Sequence, residues 1–283
     1  KWVFGFWQSR ERYQSQQELL DVVNKYRSLK IPLDGIVQDW QYWGVGDSVW
    51  NATKFGNPLF PDPDLMIDSV HKHNARMIIS VWPNFGNRTD IYREFSDKGM
   101  LYDFKTWPES ATVKVYDAFN PKARTIYWKH LNKNLFSKGV DGWWLDATEP
   151  EQAVTGKTDS ALTFLGSFKS LRNAYPLVST GGVYEHQRKE APDKRVFILT
   201  RSAFAGQQRY GTITWSGDIH CNWEVFRKQI SGGLNISLSG IPYWNTDIGG
   251  FYATPDYPKG INDPAFHEIY TRWMEFAAFT PMF

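Results

Sequence analysis

Cysteine is almost absent from this 283-residue chain: its single thiol, Cys221, can form neither an internal disulfide nor a cysteine-based zinc site. Neither sign of charge is in excess, since 32 Lys and Arg stand against 30 Asp and Glu for a net charge of +2. That balance leaves no basic footprint for nucleic acid and no acidic solvating tail. No run of about 18 apolar residues occurs, so no membrane-spanning helix is encoded. The chain starts at Lys1 without a charged-then-apolar leader. Internal repeats, low-complexity tracts and linkers are missing too, leaving ample material for one large core. What is abundant is aromatic: 14 Trp, 14 Tyr and 19 Phe make up 17% of the residues. Rings at that density exceed the needs of a core, and flat rings stack on sugar faces, so carbohydrate is the first ligand class to consider.

Short β-branched or aromatic runs occur at residues 2–7, 35–39, 76–82, 142–146, 196–200, 212–215, 240–244 and 277–283, and read as eight strands. Amphipathic, helix-like segments at 15–29, 64–73, 121–136, 160–174, 223–232 and 264–274 lie between them. Strand followed by helix, repeated, means a parallel sheet, and eight repeats favour a closed (β/α)8 TIM barrel spanning 1–283. No Gly-x-Gly-x-x-Gly turn follows the first strand, which argues against a dinucleotide-binding sheet. Residues 201–211 are too few for a regular crossover helix, so that unit is expected to be degenerate or to carry a brief helical turn. The eighth run reaches the last residue, and the expectation is a barrel truncated after its eighth strand, a fragment of a larger multidomain protein. Residues 86–120 form a long excursion suited to covering a substrate.

Catalytic groups of such barrels gather where strands run out. Reading those positions gives Asp39 after Gly-Ile-Val-Gln, Trp82 after Ile-Ile-Ser-Val, Asp146 after Gly-Trp-Trp-Leu, Arg201 after Phe-Ile-Leu-Thr, Asp218 after Trp215-Ser-Gly, and Asp247 after Trp-Asn-Thr. Histidine supplies no metal array: the close pair His71 and His73 falls on a helical segment and reads as a solvated helix face. No metal or cofactor is expected. Carboxylates in an aromatic pocket point to glycosidic bond cleavage.

Four stretches carry a resemblance: Asp141-Gly-Trp-Trp-Leu-Asp146-Ala-Thr-Glu149-Pro-Glu, Arg201-Ser-Ala-Phe-Ala-Gly-Gln-Gln-Arg-Tyr, Trp215-Ser-Gly-Asp218 and Asp247-Ile-Gly-Gly-Phe. Together, and in this order, they resemble glycoside hydrolase family 31, which contains retaining α-glucosidases, α-xylosidases and α-glucan-acting relatives. The resemblance implies that Asp146 is the nucleophile and Asp218 the general acid/base, with Asp39, Trp82, Arg201 and Asp247 lining the subsite of the cleaved sugar. Trp143-Trp144 and the Ala-Thr-Glu-Pro-Glu after Asp146 are more similar to bacterial α-xylosidases acting on xyloglucan fragments than to α-glucosidases, which carry Met-Asn-Glu there. An oligosaccharide substrate and a secreted or periplasmic location follow from it, as do flanking β-sandwich domains; no oligomeric state is implied.

The chemistry fits these residue types. One ionised carboxylate attacks the anomeric carbon while a protonated one releases the departing oxygen, then acts as base for the incoming water. Arg201 is expected to favour an ionised Asp146, and neighbouring carboxylates and indoles a neutral Asp218. Xylose lacks the C5 hydroxymethyl, so a bulky side chain can close that space; Trp40, Trp143 and Trp144 are the leading candidates, with Trp215 also near a strand end. Trp143 and Trp144 alternate across one strand, so only one of them can face a ligand. Other readings are a helix cap for Asp39 or Asp247, an ion-pair partner for Arg201, a loop brace or rival acid for Glu149 and Glu151, a thiol–imidazole pair for Cys221 and His220, and a non-catalytic sugar-binding barrel.

Overall fold

The computed structural model describes residues 1–150 and 158–283. Its chief element is a parallel sheet of seven strands, in order β1 (Trp7–Gln8), β2 (Gly35–Gln38), β3 (Arg76–Val81), β6 (Gly142–Leu145), β9 (Ile198–Thr200), β10 (Thr212–Trp215) and β11 (Trp244–Asn245). The remaining strands form two small hairpins: β4 (Asn84–Gly86) with β5 (Val113–Val115), and β7 (Leu162–Thr163) with β8 (Gly166–Ser167). The helices are α1 (Gln16–Ser28), α2 (Pro63–Lys72), α3 (Asp90–Ser96), α4 (Pro121–Asn134), α5 (Phe168–Leu171), α6 (Tyr175–Glu190), α7 (Trp223–Leu238) and α8 (Pro264–Ala277). Several start on a sequence-legible stop: Asp62, Asn120 and Asp263 each cap a helix that opens on proline.

Period-two alternation sorts the strand residues into two layers. Ile36, Met77, Ile79, Trp143 and Leu145 join the large outer core with Leu19, Val23, Met66, Ile67 and Val70 from α1 and α2. Val37, Ile78, Leu199, Ile213 and Trp215 fill the inside together with Trp7, Phe197 and Met282. An inner layer shared by strands this far apart in order means that the sheet is curled into an open (β/α)8 barrel. Trp143 is fully buried in the outer layer and its indole donates to Gln187 Oε1 at 2.8 Å.

Four sequence expectations shift. The first strand begins at Trp7, because Trp2–Phe4 forms a 3-10 turn whose Trp2 ring meets Trp7 and Phe197. The seventh run pairs only at Trp244–Asn245. Residues 277–283 are no strand: Ala277 closes α8, Pro281 has no N–H for a ladder, and only Phe283 pairs with the free edge of β1, donating to Gly5 O at 3.2 Å and accepting from the Trp7 N–H. The helix expected over 160–174 is met only from Phe168, as α5 and a 3-10 turn at Arg172–Ala174, and the main helix is α6, through Gly181 and Gly182, where a Cβ would stand 2.9 Å from the Tyr210 ring and 2.6 Å from Arg124 Cδ. Smallness there serves close packing, of Gly182 against α4 and of Gly181 against Tyr210. The short unit at 201–211 carries the expected brief turn, a 3-10 helix at Gln207–Tyr210.

Candidate active site

Strand register sets the site. Val81 is level with Leu145, and Leu145 with Thr200, so the next residues in line on β3, β6 and β9 are Trp82, Asp146 and Arg201. Asp39 follows β2, and the turns after β10 and β11 bring Asp218 and Asp247 to the same end of the barrel. A cavity of about 400 Å³ opens there, lined among others by Asp39, Trp144, Trp215, Asp218 and Asp247. Arg201 joins the carboxylates: its Nε is 3.7 Å from Asp146 Oδ1 and its Nη1 is 3.5 Å from Asp218 Oδ2. The same Nε donates to Glu149 Oε1 at 2.5 Å.

Trp144 and Trp215 meet edge to face with centroids 5.4 Å apart, whereas Trp40 and Trp82 belong to an aromatic wall with Trp50 and Trp107. Trp82 and Trp107 stack at 5.3 Å, so the excursion over 86–120 does reach the site end of the barrel. Asp39 Oδ1 accepts the Trp40 backbone N–H at 2.7 Å. Several buried polar atoms around the cavity have no hydrogen-bond partner among the described residues, including Trp144 Nε1, Asn245 Oδ1 and Thr246 Oγ1. Unpaired buried polar groups are costly in an otherwise satisfied interior and suit a hydroxyl-rich ligand.

Burial dominates the electrostatics. It pushes Asp146 up to about 7, helped by the charges of Glu149 and Asp218 and opposed by Arg201 and by the Ala147 N–H. Loss of solvation and the Asp218 charge lift Asp247 to about 7 as well, and Asp39 lies well above the carboxylate range for the same first reason. The expected division of environments therefore comes out differently. Asp146 is the desolvated carboxyl, with 10% of its side chain exposed, while Asp218 keeps 37% and faces the guanidinium.

The profile of the glycosyl hydrolases family 31 TIM-barrel domain matches residues 1–283, the whole chain. The chain belongs to glycoside hydrolase family 31. It is 42% identical to an α-xylosidase of Saccharolobus solfataricus over 292 aligned residues, covering 100% of this chain and 37% of that protein. An uncharacterised family 31 glucosidase of Pseudescherichia vulneris is 34% identical, with 100% of this chain and 52% of the relative covered. Among solved structures, a family 31 α-xylosidase from Xanthomonas citri superposes with a TM-score of 0.91 at 42% identity, covering 100% of this chain and 32% of that one. The chain thus spans between about a third and a half of the length of these relatives.

Within this family 31 barrel, some residues that sequence reasoning had passed over line the cavity: Arg10 and Glu11 in the segment after β1, and Phe251 and Tyr270 on the far side. The strand-end rule applied to the run ending at Trp7 points to Gln8, which also lines the cavity, and not to Arg10 or Glu11. Glu11 Oε1 accepts the Trp40 indole N–H at 3.2 Å and the Arg12 guanidinium lies 4.5 Å over the Trp40 ring, so this segment holds Trp40 in place. Trp143 faces the helices and leaves the list of candidates for C5 contact. The thiol–imidazole pair dissolves: burial pushes Cys221 up to about 12, and His220 Nδ1 is 3.1 Å from Asp256 Oδ2. His71 is half-buried on α2, with its Nε2 2.7 Å from Asp141 Oδ2. Glu151 lies outside the described residues. No membrane-length apolar helix is found among those described.

Proposed function

We propose that this barrel is the catalytic domain of a retaining α-glycoside hydrolase that releases terminal α-linked xylose from xyloglucan-type oligosaccharides, with Asp146 as nucleophile and Asp218 as general acid/base. The observation that carries the reading is the guanidinium of Arg201 standing between these two carboxylates, of which Asp218 lines an aromatic-walled cavity. The similarity to proteins named α-xylosidases at 42% identity supports the sugar.

In this scheme Asp146 attacks the anomeric carbon from the face opposite the leaving oxygen, and Asp218 protonates that oxygen. Burial disfavours the Asp146 carboxylate in the resting site, while Arg201 and the positive charge developing on the sugar favour it, so its charge is best compensated at the transition state. Asp218, at the exposed rim, then takes the proton of the water that releases the sugar. In this scheme Asp39 and Asp247, both lining the cavity, bind ring hydroxyls. Of the candidate indoles Trp144 lines the cavity and is the one we assign to the C5 space, whereas Trp40 belongs to the wall with Trp50 and Trp107.

Paired aryl α-xyloside and α-glucoside substrates test the sugar. Excluding one hydroxymethyl is expected to favour the xyloside by at least about 2 kcal/mol, roughly thirtyfold in kcat/KM. Comparable or reversed efficiencies would favour α-glucosidase or transglucosylase activity, a reading the 34% identity to a family 31 glucosidase supports. No turnover of either would favour a non-catalytic sugar-binding barrel.

A further inference from the structure

Glu149 stands three residues beyond Asp146, and the double-displacement scheme gives it no task. Its surroundings are those of neither a helix cap nor a loop brace: Oε1 accepts from Arg201 Nε at 2.5 Å, and Oε2 is buried with no hydrogen-bond partner among the described residues. The backbone delivers it there by an unusual turn. Ala147 adopts φ +50, a left-handed conformation uncommon outside glycine, while its N–H donates to Asp146 Oδ1 at 2.8 Å. Thr148 Oγ1 lies 2.5 Å from Thr200 Oγ1 and 2.6 Å from Ser202 Oγ, tying together the two segments from which Glu149 and Arg201 extend. A pinned loop carrying a carboxylate onto the Nε edge of the guanidinium fixes the orientation of the whole planar group.

We propose that Glu149 is a positioning residue that holds Arg201 by its Nε edge so that the guanidinium is shared between Asp146 and Asp218, and that its negative charge limits how strongly Arg201 ionises Asp146. The consequence for turnover rests on the glycosidase reading; the electrostatic consequence does not. Asp146 is faced by Glu149 and the Ala147 N–H from its own segment, by Arg201 beyond β9, by Asp218 beyond β10 and by Asp39 beyond β2. Removing the Glu149 charge takes away a repelling anion and also the competitor for Arg201, and both changes stabilise the Asp146 carboxylate.

The experiment follows the Asp146 ionisation in the full chain by carboxyl 13C NMR of labelled aspartate, with Asp146→Asn to assign the signal, in parallel with the pH profile of kcat/KM for an aryl α-xyloside. Glu149→Gln keeps an acceptor for Nε but not the charge. The expected result is a midpoint lowered by at least roughly half a pH unit and an acidic limb of kcat/KM displaced with it. Glu149→Asp, which withdraws the carboxylate by one methylene, is expected to move the midpoint the same way by less, and replaces the first variant if that one does not fold. An unchanged or raised midpoint in whichever variant folds overturns the proposal. If the unsubstituted protein hydrolyses neither aryl α-xyloside nor α-glucoside, the glycosidase reading fails, and the carbon titration still decides the role of Glu149.

Discussion

Asp146 at the end of β6 and Asp218 beyond β10 share one guanidinium but meet solvent very differently, with 10% and 37% of their side chains exposed. The end of β6 is a floor. Its register with β3 and β9 fixes Asp146 between Trp82 and Arg201, and the Ala147 N–H orients one carboxylate oxygen. The turn after β10 is a rim, where a carboxyl can exchange protons with water. A nucleophile needs a fixed position and a desolvated setting, whereas an acid/base must be reloaded in every cycle. The unequal solvation thus supports the proposed roles better than resting acidity does, since burial works against the charge that a nucleophilic Asp146 would need.

The largest effect is expected from removing the floor carboxylate. Asp146→Ala should lower kcat on an aryl α-xyloside by more than roughly 10⁴-fold, while Asp218→Ala should lose only about 10²-fold on the same activated substrate and much more on an oligosaccharide, whose leaving oxygen needs a proton. Steady-state rates on both substrates check this; equal losses on the aryl substrate would break the comparison.

Arg201→Met comes next. It removes the charge shared by floor and rim, so the acidic limb of kcat/KM should move to higher pH, because only the Ala147 N–H then opposes the effect of burial on Asp146. An acidic limb that stays in place would show that Arg201 does not govern Asp146.

A smaller effect concerns stability. The folded-state pKa of Asp146 and of Asp247 lies above the ordinary value, so each acid favours the folded chain below its unfolded pKa, and that advantage is lost as pH rises through about 7. Asp146→Asn or Asp247→Asn should therefore stabilise the protein at pH 8 by on the order of 1–3 kcal/mol and leave it nearly unchanged at pH 4. Urea midpoints at the two pH values measure it; stabilisation greater at pH 4 would contradict the sign. For the Asp218 side chain at the rim, the corresponding substitution should change stability least.

Much of this organisation is legible in the sequence because it depends on local pattern. The runs at β2, β6 and β9 are followed at once by a charged residue, so both the strands and Asp39, Asp146 and Arg201 at their ends can be read directly. What escapes is what depends on packing between distant elements. In α6, Ser179, Thr180, Gly181 and Gly182 are buried against other elements, so the helix hides its face with small residues and carries little apolar periodicity. Trp2–Phe4 looks like strand but turns, with Trp2 and Val3 packed on the inner layer. The Glu149–Arg201 pair spans 52 positions of sequence and depends on a left-handed alanine, which no propensity foretells. Burial, too, is a property of the curled sheet and the elements packed on it, and for that reason the acidity of Asp146 could not be read from its neighbours in the chain.

The most direct test of the floor-and-rim assignment is the anomeric configuration of the product when azide rescues the two alanine variants on an aryl α-xyloside. With Asp146→Ala, azide must enter in place of the nucleophile, from the face opposite the leaving group, and the expected product is β-xylosyl azide. With Asp218→Ala, Asp146 still forms the glycosyl-enzyme and azide attacks it from the other side, giving α-xylosyl azide. The same configuration from both variants, or the reverse pairing, would contradict the assignment of Asp146 as nucleophile and Asp218 as acid/base.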